Sequence, residues 1–189
     1  ILINQKLQSV IFYGPPGTGK TTTARILAVS SNHPIEQMNC IDASIKDIKT
    51  IAEKSDPQNP TVLYLDEIQY FNKKQQQSLL PFIENNQIIL IASTTENPYY
   101  CCYKALLSRC IPIEFKPVAN VHIYEYIRDK VLPSVNRTNI DDDAVVAIAN
   151  TASGDVRRAL NLLELILNQY DDTHKITIND VKKLIPNVN

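Results

Sequence analysis

Only four of the 189 residues are glycine, and three of them, Gly14, Gly17 and Gly19, fall inside the stretch Gly14-Pro15-Pro16-Gly17-Thr18-Gly19. An average chain carries roughly 7% glycine, so a chain that avoids it elsewhere keeps it where backbone must turn sharply or approach a ligand. Extended by Lys20, Thr21 and Thr22, the stretch has the spacing GxxxxGK[ST]. The apolar run Val10–Tyr13 precedes it and a helix-forming segment, Lys20–Ser30, follows it. A strand that ends in such a loop and re-enters a helix turns successive backbone N–H groups and a helix N-terminus toward one point, the arrangement that cradles phosphate oxygens. Lys20 supplies a mobile charge to those oxygens, and the Thr21 hydroxyl is placed to ligate Mg²⁺. The segment therefore predicts an α/β fold that binds nucleotide phosphates with Mg²⁺.

Periodicity agrees with that fold. Short runs that are apolar on both faces predict strands at Val10–Tyr13, Ile35–Cys40, Thr61–Leu65, Ile88–Ser93 and Ile111–Phe115, as parallel strands covered by helices require. Helices are expected at Lys20–Ser30, Ser44–Lys54, Lys73–Ile83 and Tyr103–Ser108. After Lys116-Pro117 the pattern becomes purely helical, with Val121–Val131, Asp141–Thr151, Asp155–Tyr170 and a short last helix capped near Asn179. Two domains are thus expected: an α/β domain over residues 1–117 and a helical one over 118–189.

Composition excludes several classes. With 44% hydrophobic and 21% charged residues and a net charge of −1, the chain reads as soluble and globular. No apolar run reaches the roughly 18 residues of a membrane span. The opening ILINQKLQSV has no basic start, long apolar stretch or small-residue cleavage site, so no signal peptide is expected. Near-neutral charge argues against a polyanion-coating protein. Cys40, Cys101, Cys102 and Cys110 have no zinc spacing, and are expected to be reduced residues of a cytoplasmic protein.

A second motif supports the first. The apolar run Thr61–Leu65 ends in Asp66-Glu67, which places two carboxylates at the carboxyl edge of a parallel sheet, where ligands of such sheets sit. Asp66 is expected to hold the Mg²⁺ shell and Glu67 to polarise the water that attacks the γ-phosphate.

Taken in order, GPPGTGKTT, LDEIQYFNKKQQQSLLPFIE, ASTTENP, ALLSRC and GDVRRALN resemble an AAA+ ATPase of the clamp-loader clade, and within it the RarA/MgsA family, relatives of the Werner-helicase-interacting protein. The resemblance covers nearly the whole chain. It implies a five-stranded parallel sheet in the order 5-1-4-3-2 and a helical lid. It also implies roles for Thr95 as sensor 1, for Arg109 as an arginine finger acting in trans on a neighbouring subunit, and for Arg157 as sensor 2. The function implied is ATP hydrolysis coupled to DNA remodelling in replication-fork maintenance, recombination and repair. Its partners would be single-stranded or forked DNA, further copies of the chain in a homo-oligomer, and single-strand-binding protein or replication machinery. The family's upstream adenine-side segment and downstream oligomerisation domain lie outside these residues, so a fragment with weak ATPase activity is expected.

Two departures stand out. Gln69-Tyr70 replaces the family's usual His-Arg, and Tyr99–Lys104 replaces a Ser-Phe-polar segment. Two other readings remain at this stage: a clamp-loader subunit that opens a sliding clamp, and a non-hydrolysing ATP-dependent adaptor.

Overall fold

The computed structural model describes residues 2–3 and 6–184. They form two compact units, one within residues 2–14 and 19–115, the other within residues 15–18 and 116–184.

The first unit opens with two short antiparallel strands, β1 (Leu2–Ile3) and β2 (Lys6–Leu7), which the sequence pattern does not signal. Its elements then run β3 (Val10–Tyr13), α1 (Lys20–Ser31), β4 (Ile35–Asn39), α2 (Ile45–Lys54), β5 (Thr61–Asp66), a 3₁₀ turn at Ile68–Tyr70, α3 (Lys73–Gln77), α4 (Leu80–Glu84), β6 (Ile88–Thr94), α5 (Pro98–Cys101), α6 (Lys104–Leu107) and β7 (Ile111–Glu114). The five longer strands form one parallel sheet in the order β4-β5-β6-β3-β7. Numbered from β3, that order is 5-1-4-3-2 read from the other edge, as the resemblance implies.

Strand alternation divides the core in two. Ile11, Leu63, Leu65, Leu90 and Ala92 face one side, against Ile48 and Ala52 of α2 and Leu106 of α6. Val10, Phe12, Val62, Tyr64, Ile89 and Ile91 face the other, against Ala24 and Ala28 of α1. Two alanines four apart let α1 lie close to the sheet, which brings its N-terminal turn within reach of side chains on that face.

The helix expected over Lys73–Ile83 is broken. Ser78 closes α3, and α4 restarts with Pro81 in its first turn. Proline has no N–H to donate to Gln77, so a continuous helix would lose a hydrogen bond and meet a steric clash there. The start of α3 is a capping box: the Asn72 carboxamide oxygen accepts the Gln75 N–H at 3.0 Å, and Gln75 Oε1 accepts the Asn72 N–H at 2.9 Å.

The second unit carries α7 (Asn120–Tyr126), a π-helical turn at Ile127–Val131, α8 (Leu132–Ser134), α9 (Asp142–Ala152), α10 (Val156–Gln169) and α11 (Ile178–Leu184). Its core gathers Ile123, Ile127, Val145, Ile148, Leu163, Ile166 and Val181. Asn179 lies inside α11 rather than capping it. The cap is formed at Thr177, whose N–H and hydroxyl both donate to Asp180 Oδ2, at 3.0 and 2.9 Å; threonine followed by an acid three residues later is the spacing a cap uses.

Candidate active site

In the first unit the glycine-rich loop leaves the carboxyl end of β3, an interior strand between β6 and β7. Gly14 has φ +136°, and a Cβ there would lie 2.0 Å from the Phe115 carbonyl oxygen. Only glycine fits both the dihedral and the space. The Gly14 N–H donates to the Thr94 carbonyl at 3.2 Å, which ties the loop to the end of β6. Helix α1 begins at Gly19, which has no side chain to cap it, and its first turn holds no acidic residue. The N–H donors at that end therefore have no capping side chain, and no acidic residue of the first turn offsets the positive end of the helix dipole. Such an end suits an anion. Lys20, 9% exposed, donates from Nζ to the Gly14 carbonyl at 2.7 Å.

Four oxygens meet beside this helix start. The Tyr64 hydroxyl lies 3.0 Å from Thr21 Oγ1, 2.9 Å from Ser93 Oγ, and donates to Asp66 Oδ1 at 3.1 Å. The Ser93 hydroxyl also donates to Asp66 Oδ1. Burial pushes the Tyr64 phenol up to about 12, so it stays protonated at neutral pH. Thr21 and Asp66, the two expected metal ligands, are thus joined through one intervening hydroxyl. A hydroxyl and a carboxylate are hard oxygen donors of the kind Mg²⁺ takes alongside water and substrate phosphates, so this donor set fits that ion.

Glu67 directly follows β5 with φ +57°, a left-handed conformation uncommon for a side chain larger than glycine. Gln69 donates from Nε2 to Glu67 Oε2 at 2.6 Å, while Gln69 Oε1 is buried without a partner. The amide is therefore turned by the carboxylate alone: the reversed amide would set oxygen against oxygen. The departure at Gln69 thus bears directly on Glu67.

Thr95 and Arg109 are not among the hydrogen-bonded residues of this cluster. Thr95 is the first residue beyond β6 and exposed, whereas Thr94 is buried and its hydroxyl accepts the Glu96 N–H at 3.0 Å. Arg109 pairs with Glu84 of α4 and donates to the Ala105 carbonyl at 2.7 Å. It sits at the amino end of β7, which runs parallel to β3 with Val10 opposite Ile111, while the glycine loop leaves the carboxyl end. The four residues of β3, at about 3.3 Å each, separate the two.

In the second unit, Gly17 has φ +66°, and its carbonyl accepts the Val156 N–H at 3.1 Å. Asp155 caps α10 by accepting the Arg158 N–H at 3.0 Å, and Arg157 is exposed on the first turn of that helix.

Two residues of the site were not anticipated, Tyr64 and Ser93. A signal for both was present: each is a polar residue in a largely apolar strand, and Tyr64 shares a face with Asp66 two residues on.

Residues 10–118 match the ATPase family associated with various cellular activities (AAA), and residues 134–188 match the AAA C-terminal domain. The chain belongs to the AAA family. It is 39% identical over 180 residues to the ATPase WRNIP1 of Dictyostelium discoideum, covering 90% of this chain and 20% of that protein. It is 36% identical over 181 residues to replication-associated recombination protein A of Escherichia coli K12, covering 89% of this chain and 40% of that one. The AAA chain thus spans less than half the length of these relatives. Among solved structures it resembles the Thermotoga maritima RuvB Holliday junction branch migration motor, with a TM-score of 0.81, 26% identity, and coverage of 95% of this chain and 61% of that one. These relatives agree with the RarA/MgsA resemblance read from the motifs. No helix among the described residues is long and apolar enough to cross a membrane.

Proposed function

We propose that this AAA chain is the ATP-hydrolysing part of a cytoplasmic protein that remodels DNA in replication-fork maintenance, recombination and repair. The observation that carries the ATPase reading is the meeting of an uncapped helix start, Lys20, Thr21 and Asp66 at one edge of the sheet, with Glu67 on the next residue. In this reading the backbone of Gly14–Gly19, with Thr22 in the following turn, and Lys20 hold the phosphates. Thr21 and Asp66 hold Mg²⁺, directly or through water, and Glu67 and Thr95 orient the attacking water. Arg157 stabilises charge on the γ-phosphate. Arg109, at the wrong end of its own sheet, serves the site of a second copy. DNA as the object of the work is supported by the relatives named for replication-associated recombination and branch migration.

The test is ATP turnover with and without single-stranded or forked DNA, with Lys20→Ala as the blank. Turnover that rises with DNA and vanishes in the blank is expected. Turnover unaffected by Lys20→Ala overturns the site, and turnover indifferent to every DNA overturns the coupling.

A further inference from the structure

The four-oxygen cluster holds two hydroxyls besides its two expected metal ligands, and proton counting shows what the Tyr64 hydroxyl does. Thr21, Tyr64 and Ser93 bring three hydroxyl protons to the cluster, while an ionised Asp66 only accepts. Asp66 Oδ1 takes the protons of Tyr64 and Ser93. The Tyr64 oxygen then has only lone pairs to offer Thr21, so the Thr21 proton points at Tyr64 along the 3.0 Å contact. A hydroxyl ligates a cation through a lone pair, and needs an acceptor for its proton on the side away from the ion. Tyr64 is that acceptor here. Both bonds to Asp66 converge on Oδ1, and neither engages Oδ2.

We infer that Tyr64 is a positioning residue of the metal site: its hydroxyl accepts the Thr21 proton, donates its own to Asp66, and so turns the Thr21 lone pairs and the Asp66 carboxylate toward one divalent cation. The inference rests on the reading of Thr21 and Asp66 as metal ligands. Tyr64 has no part in holding the nucleotide itself, because it faces α1 from the sheet and its polar contacts are with Thr21, Ser93 and Asp66. Its loss should therefore change the cation requirement and spare affinity for nucleotide without the ion. Tyr64→Phe keeps the buried ring and removes only the oxygen, leaving the Thr21 proton without its acceptor.

The experiment is a binding titration of a fluorescent ATP analogue to the chain, at graded MgCl₂ and in EDTA. For wild type, affinity should rise with Mg²⁺. For Tyr64→Phe the Mg²⁺ midpoint should move up about fivefold, the size of one hydrogen bond, with affinity in EDTA unchanged. A purely structural role would weaken both. A wild-type affinity indifferent to Mg²⁺ overturns the metal-ligand reading and this inference with it. A Mg²⁺-dependent wild type with an unshifted Tyr64→Phe midpoint, or a Tyr64→Phe loss equal in EDTA, overturns the inference alone. If Tyr64→Phe does not fold, Ser93→Ala decides. It removes one of the two donors to Asp66 Oδ1, and a midpoint raised about twofold supports the network, whereas the wild-type midpoint overturns it.

Discussion

At the scale of single residues, the roles proposed for Lys20 and Glu67 divide the labour in a way kinetics can separate. In that proposal Lys20 places charge on phosphates that are present before reaction, whereas Glu67 acts on water in the transition state. Lys20→Ala should abolish ATP binding in calorimetry. Glu67→Gln should keep the affinity and lower turnover by about 10²-fold or more, as expected for loss of a general base. Equal ATP affinity in Lys20→Ala would count against the loop as the phosphate site. The cysteines separate as well. The bond from Cys102 brings the Cys101 thiol down to about 7, while burial pushes Cys40 and Cys110 up to about 12. The thiolate is the reactive form, so iodoacetamide labelling read by mass spectrometry should mark Cys101 first, its rate rising as pH passes 7. Early labelling of Cys40 would contradict that order.

At the scale of elements, several of the segments that carry the family resemblance turn out to be joints. In FNKKQQ, Asn72 and Gln75 form the capping box of α3, and Gln76 is 2% exposed. Its amide nitrogen donates to the Phe71 and Cys101 carbonyls at 2.9 and 3.1 Å, and its oxygen accepts the Tyr103 N–H at 2.7 Å. One side chain thus fastens α3 to the α5–α6 segment that leads to Arg109. Gln76→Ala leaves three backbone groups to be satisfied some other way. Each unsatisfied buried group costs about 1–3 kcal/mol, so a fall of several degrees in Tm is expected, and an unchanged Tm would mean that water replaces the bonds. In TTENP, Thr94 accepts the Glu96 N–H and Asn97 caps α5. The α11 joint responds to pH. Thr177 and Lys183, with His174, hold the Asp180 carboxyl well below its ordinary value, led by the backbone bond from Thr177. A depressed carboxyl stabilises the fold above its unfolded value, near 3.9, and loses that effect as pH falls toward the folded one. Asp180→Asn should therefore lower Tm at pH 7, and the gap to wild type should narrow below about pH 4.

At the scale of the whole molecule, the parallel register of β3 and β7 decides what Arg109 can serve. Its guanidinium is held by Glu84 at the end of the sheet away from the glycine loop. The proposed role of Arg109 on the γ-phosphate therefore needs a second copy, which would make hydrolysis a property of the assembly. Lys20→Ala and Arg109→Ala chains, each inactive alone, should recover partial activity when mixed, because a mixed assembly can pair an intact glycine loop with an intact arginine. The loss in Arg109→Ala alone could reach about 10³-fold, by analogy with other arginine fingers. No recovery despite demonstrated co-assembly would leave Arg109 as the structural partner of Glu84.

Much of this was legible in the chain, because it depends on local spacing. Glycine placement, short runs apolar on both faces and the Asp66-Glu67 pair predict the strands and the phosphate loop, since each is dictated by dihedral preference or by which faces a strand buries, while the strand order followed from the family resemblance. The broken α3–α4 was legible too, in Pro81, had its missing N–H been weighed against the apolar period. What only the tertiary structure decided are contacts between residues far apart in the chain. Tyr64 meets Thr21 because alanines at positions 24 and 28 let α1 lie close to the sheet, and it meets Ser93 because β5 and β6 are neighbours. Gln76 meets Tyr103 across 27 residues. No periodicity within one segment encodes such pairs, since their geometry exists only once strands are in register and helices are packed.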